Sequence, residues 1–450
     1  MTFVLFDPSC SRDSTALDTP RGPVTFREVR AGARGWRSRL LARGLEPGEA
    51  VGLAGTLNRA WVEAFHGVIL AGGVPAPLNP VWTPRERNRA LEVLGVGRVL
   101  YPEESPEPPP RESSGADLRP PEVDGPVVRL LTSGTSGSPE AVTLTAGNLK
   151  ASARASRERL TLGSGDRWLA SLSPAHVGGI ALLTRGSLLG STLVLRGPFR
   201  PEVFLELARE GRITHASLVP TMLQRILEAW GSRPAPPSLR CILMGGAAPP
   251  RELVEEALAL GFPLALTYGL TEASSQVATA PPPLVRRKPG TVGPPLPGVR
   301  LRLGEDGEIL LQGPTVAPGR AAPDGWLHTG DLARSDDQGH LWMVGRLSER
   351  IISGGVNVDP LEVEEVLAAH DGVREVAVVG MPDSTWGERV VAAVVPLPEG
   401  LPSAAALEAL ARGSLSPAKR PREVRFLGAL PRNANGKVDR PRLRRILAGG

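Results

Sequence analysis

Cysteine and lysine are both scarce in this 450-residue chain. The two cysteines, Cys10 and Cys241, lie too far apart in sequence to form a metal-ligand pattern or a disulfide framework. We therefore expect a protein of the reducing cytoplasm. Only four of the 52 basic residues are lysines, so a reaction that requires a lysine has few candidates.

Long apolar runs are absent as well. No uninterrupted apolar segment approaches the roughly 20 residues that a membrane span needs, and the first residues lack the basic region of a secretory signal. The formal net charge is +5, but the arginines are interspersed with acids and no basic run carries interleaved aromatic residues. These patterns predict no membrane span and no nucleic-acid partner.

Helical and strand patterns alternate through the first 280 residues. Amphipathic segments such as 26–41 are followed by short apolar segments such as 50–54. This alternation predicts an α/β fold with a parallel sheet. The proline- and acid-rich stretch at about 102–126 predicts a surface linker. Glycine and proline recur between short strands at about 285–345, which predicts a small β-barrel or a distorted sheet.

A hydroxyl- and glycine-rich segment follows the predicted strand 127–132 and has the composition of a phosphate-binding loop. Glycine allows backbone N–H groups to converge on an anion, and hydroxyls add donors. It is not a Walker A loop, because the Gly-Lys-Ser/Thr ending is missing. A flexible turn is the structural alternative. The segment comprises Thr132, Ser133, Gly134, Thr135, Ser136 and Gly137.

A second motif, Tyr-Gly-x-Thr-Glu, follows the predicted strand 262–266. Glu272, beside Thr271, suits Mg²⁺, which takes oxygen ligands and usually only one or two carboxylates together with phosphate. Tyr268 suits stacking on a nucleobase. The structural alternative is a helix N-cap.

Three later motifs contain an acid, an arginine and a lysine. Asp331 follows a glycine in a predicted tight turn and suits a ribose, whose hydroxyls a carboxylate accepts from. Arg346 precedes a change in composition. An Asn-Gly turn presents Lys437 at a loop tip. The structural alternatives are a hairpin aspartate, an inter-domain turn and an exposed surface lysine.

The order of these motifs resembles the adenylate-forming superfamily of acyl-CoA synthetases, adenylation domains and luciferases, from about Thr25 to Leu443. The resemblance implies an α/β protein whose large N-terminal domain, 1–346, combines two α/β subdomains with a small β-barrel. A hinge at 347–349 and a small mobile α+β domain, 350–450, follow.

The resemblance also implies a role for each motif, with ATP, Mg²⁺ and coenzyme A (CoA) as partners. It assigns the ATP phosphate loop to 132–137, the adenine site to Gly246, Ala247 and Tyr268, the Mg²⁺ link to Glu272 beside Thr271, the ribose to Asp331 and Arg346, the CoA tunnel to Gly354 and Gly355, and adenylation to Lys437.

One position departs from the family pattern. The phosphate loop of the family usually continues Pro-Lys-Gly, whereas this chain has Pro139, Glu140 and Ala141. A carboxylate beside a triphosphate weakens ATP binding unless it points away. The role of the family's loop lysine is therefore without an assigned residue in this sequence.

Within the superfamily, several stretches resemble the o-succinylbenzoate–CoA ligases of menaquinone biosynthesis. His176 begins a His-x-x-Gly segment, and Arg185 follows it. The succinylbenzoate dianion has a second carboxylate to hold, and arginine offers a bidentate partner. The structural alternatives are a core histidine and a helix-end arginine.

The implied function is an acid–CoA ligase that activates a small carboxylic acid with MgATP to an acyl-adenylate and transfers it to CoA, with o-succinylbenzoate as the expected substrate. The open alternatives are a ligase for other aryl or fatty acids, a stand-alone enzyme that adenylates an acid for a carrier protein, and a nucleotide-binding regulatory protein without catalysis. The sequence leaves open whether the chain forms a homo-oligomer.

Overall fold

The computed structural model describes residues 12–102, 123–132, 139–398, 400–433 and 437–449. Within them, the chain divides into two compact units. Unit 1 comprises residues up to 249 together with 255–301 and 311–328, and unit 2 comprises 250–254, 302–310 and 329 onwards.

Helices and strands alternate along the described chain. In order they are β1 (Thr15–Thr19), β2 (Gly22–Thr25), α1 (Phe26–Ala42), β3 (Ala50–Leu53), α2 (Arg59–Leu70), β4 (Val74–Pro77), α3 (Pro84–Leu94), β5 (Arg98–Leu100), β6 (Pro126–Thr132), β7 (Glu140–Thr145), α4 (Ala146–Leu160), β8 (Arg167–Leu169), α5 (Val177–Leu189), β9 (Thr192–Val194), α6 (Pro201–Arg209), β10 (His215–Leu218), α7 (Pro220–Trp230), β11 (Cys241–Met244), α8 (Arg251–Ala259), β12 (Leu264–Leu270), β13 (Ser275–Ala280), α9 (Pro282–Arg287), β14 (Arg300–Leu303), β15 (Glu308–Gln312), β16 (Leu327–Ser335), β17 (Leu341–Arg346), β18 (Ile351–Ser353), β19 (Val356–Val358), α10 (Pro360–Ala368), β20 (Val373–Asp383), β21 (Gly387–Pro396), α11 (Ala404–Ser414), β22 (Glu423–Phe426) and α12 (Arg440–Leu447).

Local sequence explains where several helices begin. Thr25 and Thr83 each accept a hydrogen bond from the backbone of a glutamate three residues later, and that glutamate bonds back to the threonine backbone. Thr145 makes the same reciprocal arrangement with Asn148 at the start of α4. Such capping boxes satisfy two N–H groups that a helix end otherwise leaves unpaired.

An eight-stranded sheet forms the main layer of unit 1, with the strand order β13-β12-β11-β10-β8-β9-β1-β2. Strands β8 to β12 pair in parallel, whereas β13 runs antiparallel to β12. A parallel sheet of this kind is buried on both faces, and its ligands bind beyond the carboxyl ends of the strands. Unit 1 also contains the parallel sheet β4-β3-β5 and the hairpin β6-β7.

The carboxyl-terminal part of unit 2 is built on a five-stranded sheet. Its strand order is β19-β18-β21-β20, with β22 paired to β21. Apolar side chains of β20 and β21 alternate between two buried clusters, one of which includes Leu367 of α10 and Leu407 of α11, while the other includes Leu443 of α12. The sheet is therefore covered on both faces by helices.

The α/β class is confirmed, but the small β-barrel is not, since β14–β17 form a four-stranded sheet. Two local predictions are wrong. Strand β12 continues to Leu270, so the Tyr-Gly motif lies inside a strand, and Asp331 lies in strand β16 and not in a tight turn. The domain limits at 346 and 350 and the hinge stay predictions. No helix of the described residues is long and apolar enough to cross a bilayer.

Candidate active site

The carboxyl ends of β11 and β12 bring the predicted adenine-site residues together. The two strands pair in parallel up to Met244 and Leu266, so Gly246 and Tyr268 each lie two residues beyond that pair. The N–H of Gly245 donates to the carbonyl of Leu218 at the end of β10. Tyr268 is buried. Ala247 follows Gly246 directly, so all three predicted residues lie at one edge of the sheet.

A tight turn after β12 positions Glu272. Gly269 lies so close to the returning strand that a Cβ there would come within 1.8 Å of the Ser275 carbonyl oxygen, which explains why the motif has glycine at this place. Thr271 to Ala273 form a single 3₁₀ turn. Glu272 is half-buried, and its carboxylate makes no hydrogen bond or ion pair to the described residues.

Side chains of α4 form hydrogen bonds to the residues that follow this turn. The Ser152 hydroxyl donates to the Ser274 carbonyl at 2.7 Å, and Ser156 donates to Gln276 at 2.6 Å. Gln276 in turn donates to Thr279 at 2.7 Å. All of these side chains are buried, so the network restrains the turn that carries Glu272. Sequence reasoning missed the two α4 serines, because nothing local marks them.

Strands β6 and β7 precede and follow the predicted phosphate loop in the sequence. Thr132, the last residue of β6, pairs with Glu140, the first residue of β7. The remaining predicted loop residues, Ser133, Gly134, Thr135, Ser136 and Gly137, lie outside the described residues. The structure therefore places the base of this loop and nothing more of it.

Helix α5 contains Arg185, and its N-cap residue is His176, so both residues predicted to contact the acid belong to this helix or its cap. His176 is the N-cap residue of the helix and is half-buried. Arg185 lies nine residues later, which corresponds to about 13 Å and about two and a half turns.

Arg185 is buried, with 3% of its surface exposed. Its guanidinium lies 5.7 Å from the centre of the Trp168 ring, and its Nε and Nη1 atoms make no hydrogen bond within the described part of the chain. Burial lowers the pKa of Arg185 to about 10, so it remains charged at neutral pH. The neighbouring Cys241 is neutral, because burial raises its pKa to about 12 against the opposing charges of Arg185 and Arg240.

Unit 2 brings the two predicted ribose contacts together. Asp331 of β16 and Arg346 of β17 are opposite each other in the antiparallel ladder. The Nε of Arg346 donates to a carboxylate oxygen of Asp331 at 2.6 Å. Asp331 is buried, whereas the Arg346 side chain is 42% exposed. The exposed arginine and its buried carboxylate partner therefore form an ion pair across β16 and β17.

Lys437 belongs to the same charged group. Desolvation and then the positive charge of Arg346 lower its pKa, while the carboxylates of Asp331 and Glu349 act in the opposite direction. Its backbone is held by Asn433, whose N–H donates to the Lys437 carbonyl at 2.9 Å and whose side chain accepts from the Lys437 N–H at 3.1 Å. A lysine with a lowered pKa between charged partners is a candidate for a functional role.

Arg440, at the start of α12, is a functional candidate that sequence reasoning missed. Its Nε donates to Glu349 at 2.9 Å, and its two Nη atoms donate to Glu364 at 2.7 and 3.3 Å. One Nη also donates to the carbonyl of Val378 at 3.0 Å. The interactions with Glu364 and Glu349 raise the pKa of Arg440 in spite of its burial. Arg440 therefore anchors the chain three residues after Lys437.

The two glycines predicted to line the CoA tunnel form the turn between β18 and β19. Gly354 and Gly355 both have positive φ, at +59° and +77°. The Gly354 N–H donates to the Trp386 carbonyl at 2.9 Å, and a Cβ on Gly354 would come within 2.8 Å of the indole ring. The guanidinium of Arg422 also packs on Trp386 and lies 3.6 Å from the ring centre. The conformation and the close packing both require glycine here.

Two family models match the sequence. The AMP-binding enzyme model matches residues 8–319, and the model of the AMP-binding enzyme C-terminal domain matches residues 362–437. The chain belongs to the AMP-binding enzyme family. The residues that the two models cover include Gly246, Glu272 and Lys437.

Relatives of this AMP-binding enzyme include the 2-succinylbenzoate–CoA ligase of Geobacillus kaustophilus. The two sequences are 34% identical over an alignment of 465 positions, which covers 96% of this chain and 95% of the relative. Two solved structures of the o-succinylbenzoate CoA synthetase MenE from Bacillus subtilis are similar to this chain, each with 31% identity and a TM-score of 0.87. One is the complex with the acyl-adenylate intermediate OSB-AMP, and its match covers 96% of this chain and 95% of the MenE chain. The other is the complex with ATP and magnesium ion, and its match covers 96% of this chain and 97% of the MenE chain.

The donor set of unit 1 fits a magnesium ion that is held mainly by phosphate. No group of three or more metal-binding side chains occurs among the described residues, so an ion caged by protein ligands has no site there. Glu272 offers one carboxylate that has no partner among the residues the structure describes, and Mg²⁺ commonly takes one or two carboxylates with phosphate oxygens and water. Glu272 is therefore the residue that would hold it.

Proposed function

We propose that this chain is an ATP-dependent acid–CoA ligase whose acid is o-succinylbenzoate, as in menaquinone biosynthesis. A carboxylate of the acid attacks the α-phosphorus of ATP and releases pyrophosphate, and the CoA thiol then displaces AMP from the acyl-adenylate. The relatives named as 2-succinylbenzoate–CoA ligases support this activity. The buried guanidinium of Arg185 is the observation that favours a dicarboxylate.

The argument from Arg185 rests on the cost of its burial. A buried charge without a partner is expensive, and buried N–H groups without acceptors add to that cost. The ring of Trp168 offsets it only in part, since a cation–π contact contributes about 2 kcal/mol even when desolvated. A carboxylate accepts from two guanidinium N–H groups at once, so the second carboxylate of the substrate is a suitable partner for Arg185.

Charge neutralisation and positioning are the tasks of the remaining residues. The attacking carboxylate and the ATP phosphates repel each other, so positive groups aimed at the reacting atoms lower the barrier. We assign this role to Lys437 and assign ATP binding to the base of the phosphate loop at Thr132. Mg²⁺ near Glu272, when bound, supplies further positive charge to the phosphates. Asp331 is suited to accept hydrogen bonds from the ribose, and the hydrogen bond from Arg346 orients the Asp331 carboxylate.

AMP release tests the proposed function. The purified chain is supplied with ATP, Mg²⁺ and CoA and with o-succinylbenzoate, benzoate or octanoate. We expect AMP and a CoA thioester in quantity with o-succinylbenzoate only. Efficient turnover of benzoate or octanoate would favour the alternative aryl- or fatty-acid ligase. A phosphopantetheinyl carrier protein that replaces CoA with equal efficiency would favour the carrier-loading enzyme, and no acid-dependent AMP with any acid would refute all three.

A change of Arg185 to methionine tests the dicarboxylate assignment. We expect kcat/KM for o-succinylbenzoate to fall by about 100-fold, because a charge-assisted bidentate contact of roughly 1.5–3 kcal/mol is lost. Stability should be preserved, since an apolar side chain of similar volume replaces a buried charge. Turnover of the monocarboxylate analogue that keeps the reacting carboxylate, either 4-oxo-4-phenylbutanoate or 2-butyrylbenzoate, whichever the parent turns over, should not fall. If both acids lose activity equally, Arg185 does not read the second carboxylate.

Three further properties belong to the proposal. We propose a cytoplasmic location, which the cysteine content and the CoA co-substrate favour, and which fractionation of cells would test. We propose that residues 347–349 act as the hinge of the C-terminal domain. A homo-oligomer is compatible with the proposal, and light scattering, which measures the molar mass in solution, would distinguish it from a monomer.

A further inference from the structure

Glu140 is the residue that replaces the lysine of the family's phosphate loop, and the structure gives it a partner from elsewhere in the chain. The Nη1 of Arg320 donates to the Glu140 carboxylate at 2.8 Å, and Nη2 donates to the Ala141 carbonyl at 2.7 Å. Arg320 lies 180 residues beyond Glu140 in the sequence. An arginine from a distant part of the sequence therefore lies beside the position at which the family has a lysine.

The segment that carries Arg320 is fixed to the site at several points. Its Ala317 N–H donates to the Glu272 carbonyl at 2.8 Å, and the Arg320 N–H donates to the Ala317 carbonyl at 3.2 Å. Asn148 of α4 donates to the carbonyls of Pro314 and Val316 at 2.8 and 3.0 Å. These bonds connect Arg320 through a short rigid path to Glu272.

The guanidinium retains the capacity to bind an anion. Arginine has five N–H donors, and the contacts with Glu140 and Ala141 use two of them. The Arg320 side chain is 27% exposed and Glu140 is 42% exposed, so the pair is accessible from solvent. Glu140 follows the phosphate loop on β7, directly across from Thr132. The free donors are thus held at the base of that loop.

We infer that Arg320 is the cation that binds the triphosphate of ATP at the base of the phosphate loop, and that Glu140 is a positioning residue that holds Arg320 there. This inference rests on the proposed function. The carboxylate that by itself would repel ATP is neutralised by Arg320, and the pair fixes the direction of the remaining N–H donors.

Equilibrium binding of MgATP in the absence of acid and CoA tests this inference. We expect Arg320→Gln to raise the Kd for MgATP by about 10- to 100-fold, the range that a hydrogen bond to a charged group supports. The double variant Arg320→Gln with Glu140→Lys should recover affinity to within about threefold of the parent, since it restores the family's lysine. The KM for CoA should stay unchanged in both variants.

Arg98→Gln is the matched control. Arg98 also joins a carboxylate, that of Glu49 at 3.0 Å, and a carbonyl, that of Arg43 at 3.1 Å, and its exposure of 29% is similar. MgATP affinity should not change in this variant. An unchanged Kd in Arg320→Gln, failure of the lysine to rescue, or an equal loss in Arg98→Gln would each overturn the inference while the proposed function stands. If the parent chain itself does not bind MgATP, both fail.

Discussion

Replacement of Lys437 by alanine is expected to reduce formation of the acyl-adenylate by about 10²- to 10³-fold, as loss of one preorganised donor to a developing charge does. The reason is electrostatic. The ammonium group offsets the repulsion between an anionic acid and an anionic phosphate, and Arg346, Asp331 and Glu349 already surround it with charge. Pyrophosphate release in the absence of CoA measures this first half-reaction.

The second half-reaction separates a specific role from general damage. Thioester formation from added acyl-adenylate and CoA should change by less than about threefold in Lys437→Ala, because the thiol attack needs no neutralisation of the β- and γ-phosphates. Lys419→Ala is the control, since Lys419 lies in the same unit and pairs with Glu362 at 2.7 Å. An equal loss in both half-reactions would show that Lys437 does not serve adenylation in particular.

Replacement of Arg440 by methionine is expected to lower the free energy of unfolding of unit 2 by about 3 kcal/mol, because it leaves the partly buried carboxylates of Glu364 and Glu349 without their arginine partner. Glu364 is the main one: its side chain is 12% exposed, and that of Arg440 is 15% exposed. Urea denaturation followed by circular dichroism measures the change. Lys419→Met breaks the more exposed pair with Glu362 and should cost less than about 1 kcal/mol.

The same variant tests whether Arg440 also positions Lys437. Arg440 lies three residues after Lys437 and is bonded to Glu349, a neighbour of the lysine's charge. We expect adenylation to fall more than thioester formation from added acyl-adenylate. The second variant Arg440→Lys retains the charge with fewer donors and should recover part of both stability and adenylation. If Arg440→Met is as stable as the parent, the burial argument is wrong.

Some features that the sequence singles out depend on backbone conformation and on close neighbours, while their roles in binding stay predictions. Gly269 is required by its contact with Ser275, six residues further on, and Gly354 and Gly355 have the positive φ of a tight turn, so the need for glycine is visible in the local sequence. The limits of strands were less accurate. Asp331 was expected in a turn because a glycine precedes it, but ladder pairing with Arg346 extends strand β16 through both residues.

Residues that act through distant partners were missed for a physical reason. Arg320 and Arg440 are two of 48 arginines, the 52 basic residues less four lysines, and nothing near them in the sequence marks them. Their significance comes from carboxylates 180 and 76 residues away. The serines of α4 are comparable, because their acceptors lie more than 100 residues further on.

The sequence by itself determined the family, the order of the motifs and the α/β class, because alternating hydrophobic periods and turn residues are local properties of a chain. Only the tertiary structure decided which charges are compensated. It paired Glu140 with Arg320, surrounded Lys437 with charged side chains, and left the buried guanidinium of Arg185 without an acceptor among the described residues. Charges interact through space and not along the chain, so their balance is known only once the fold has brought them together.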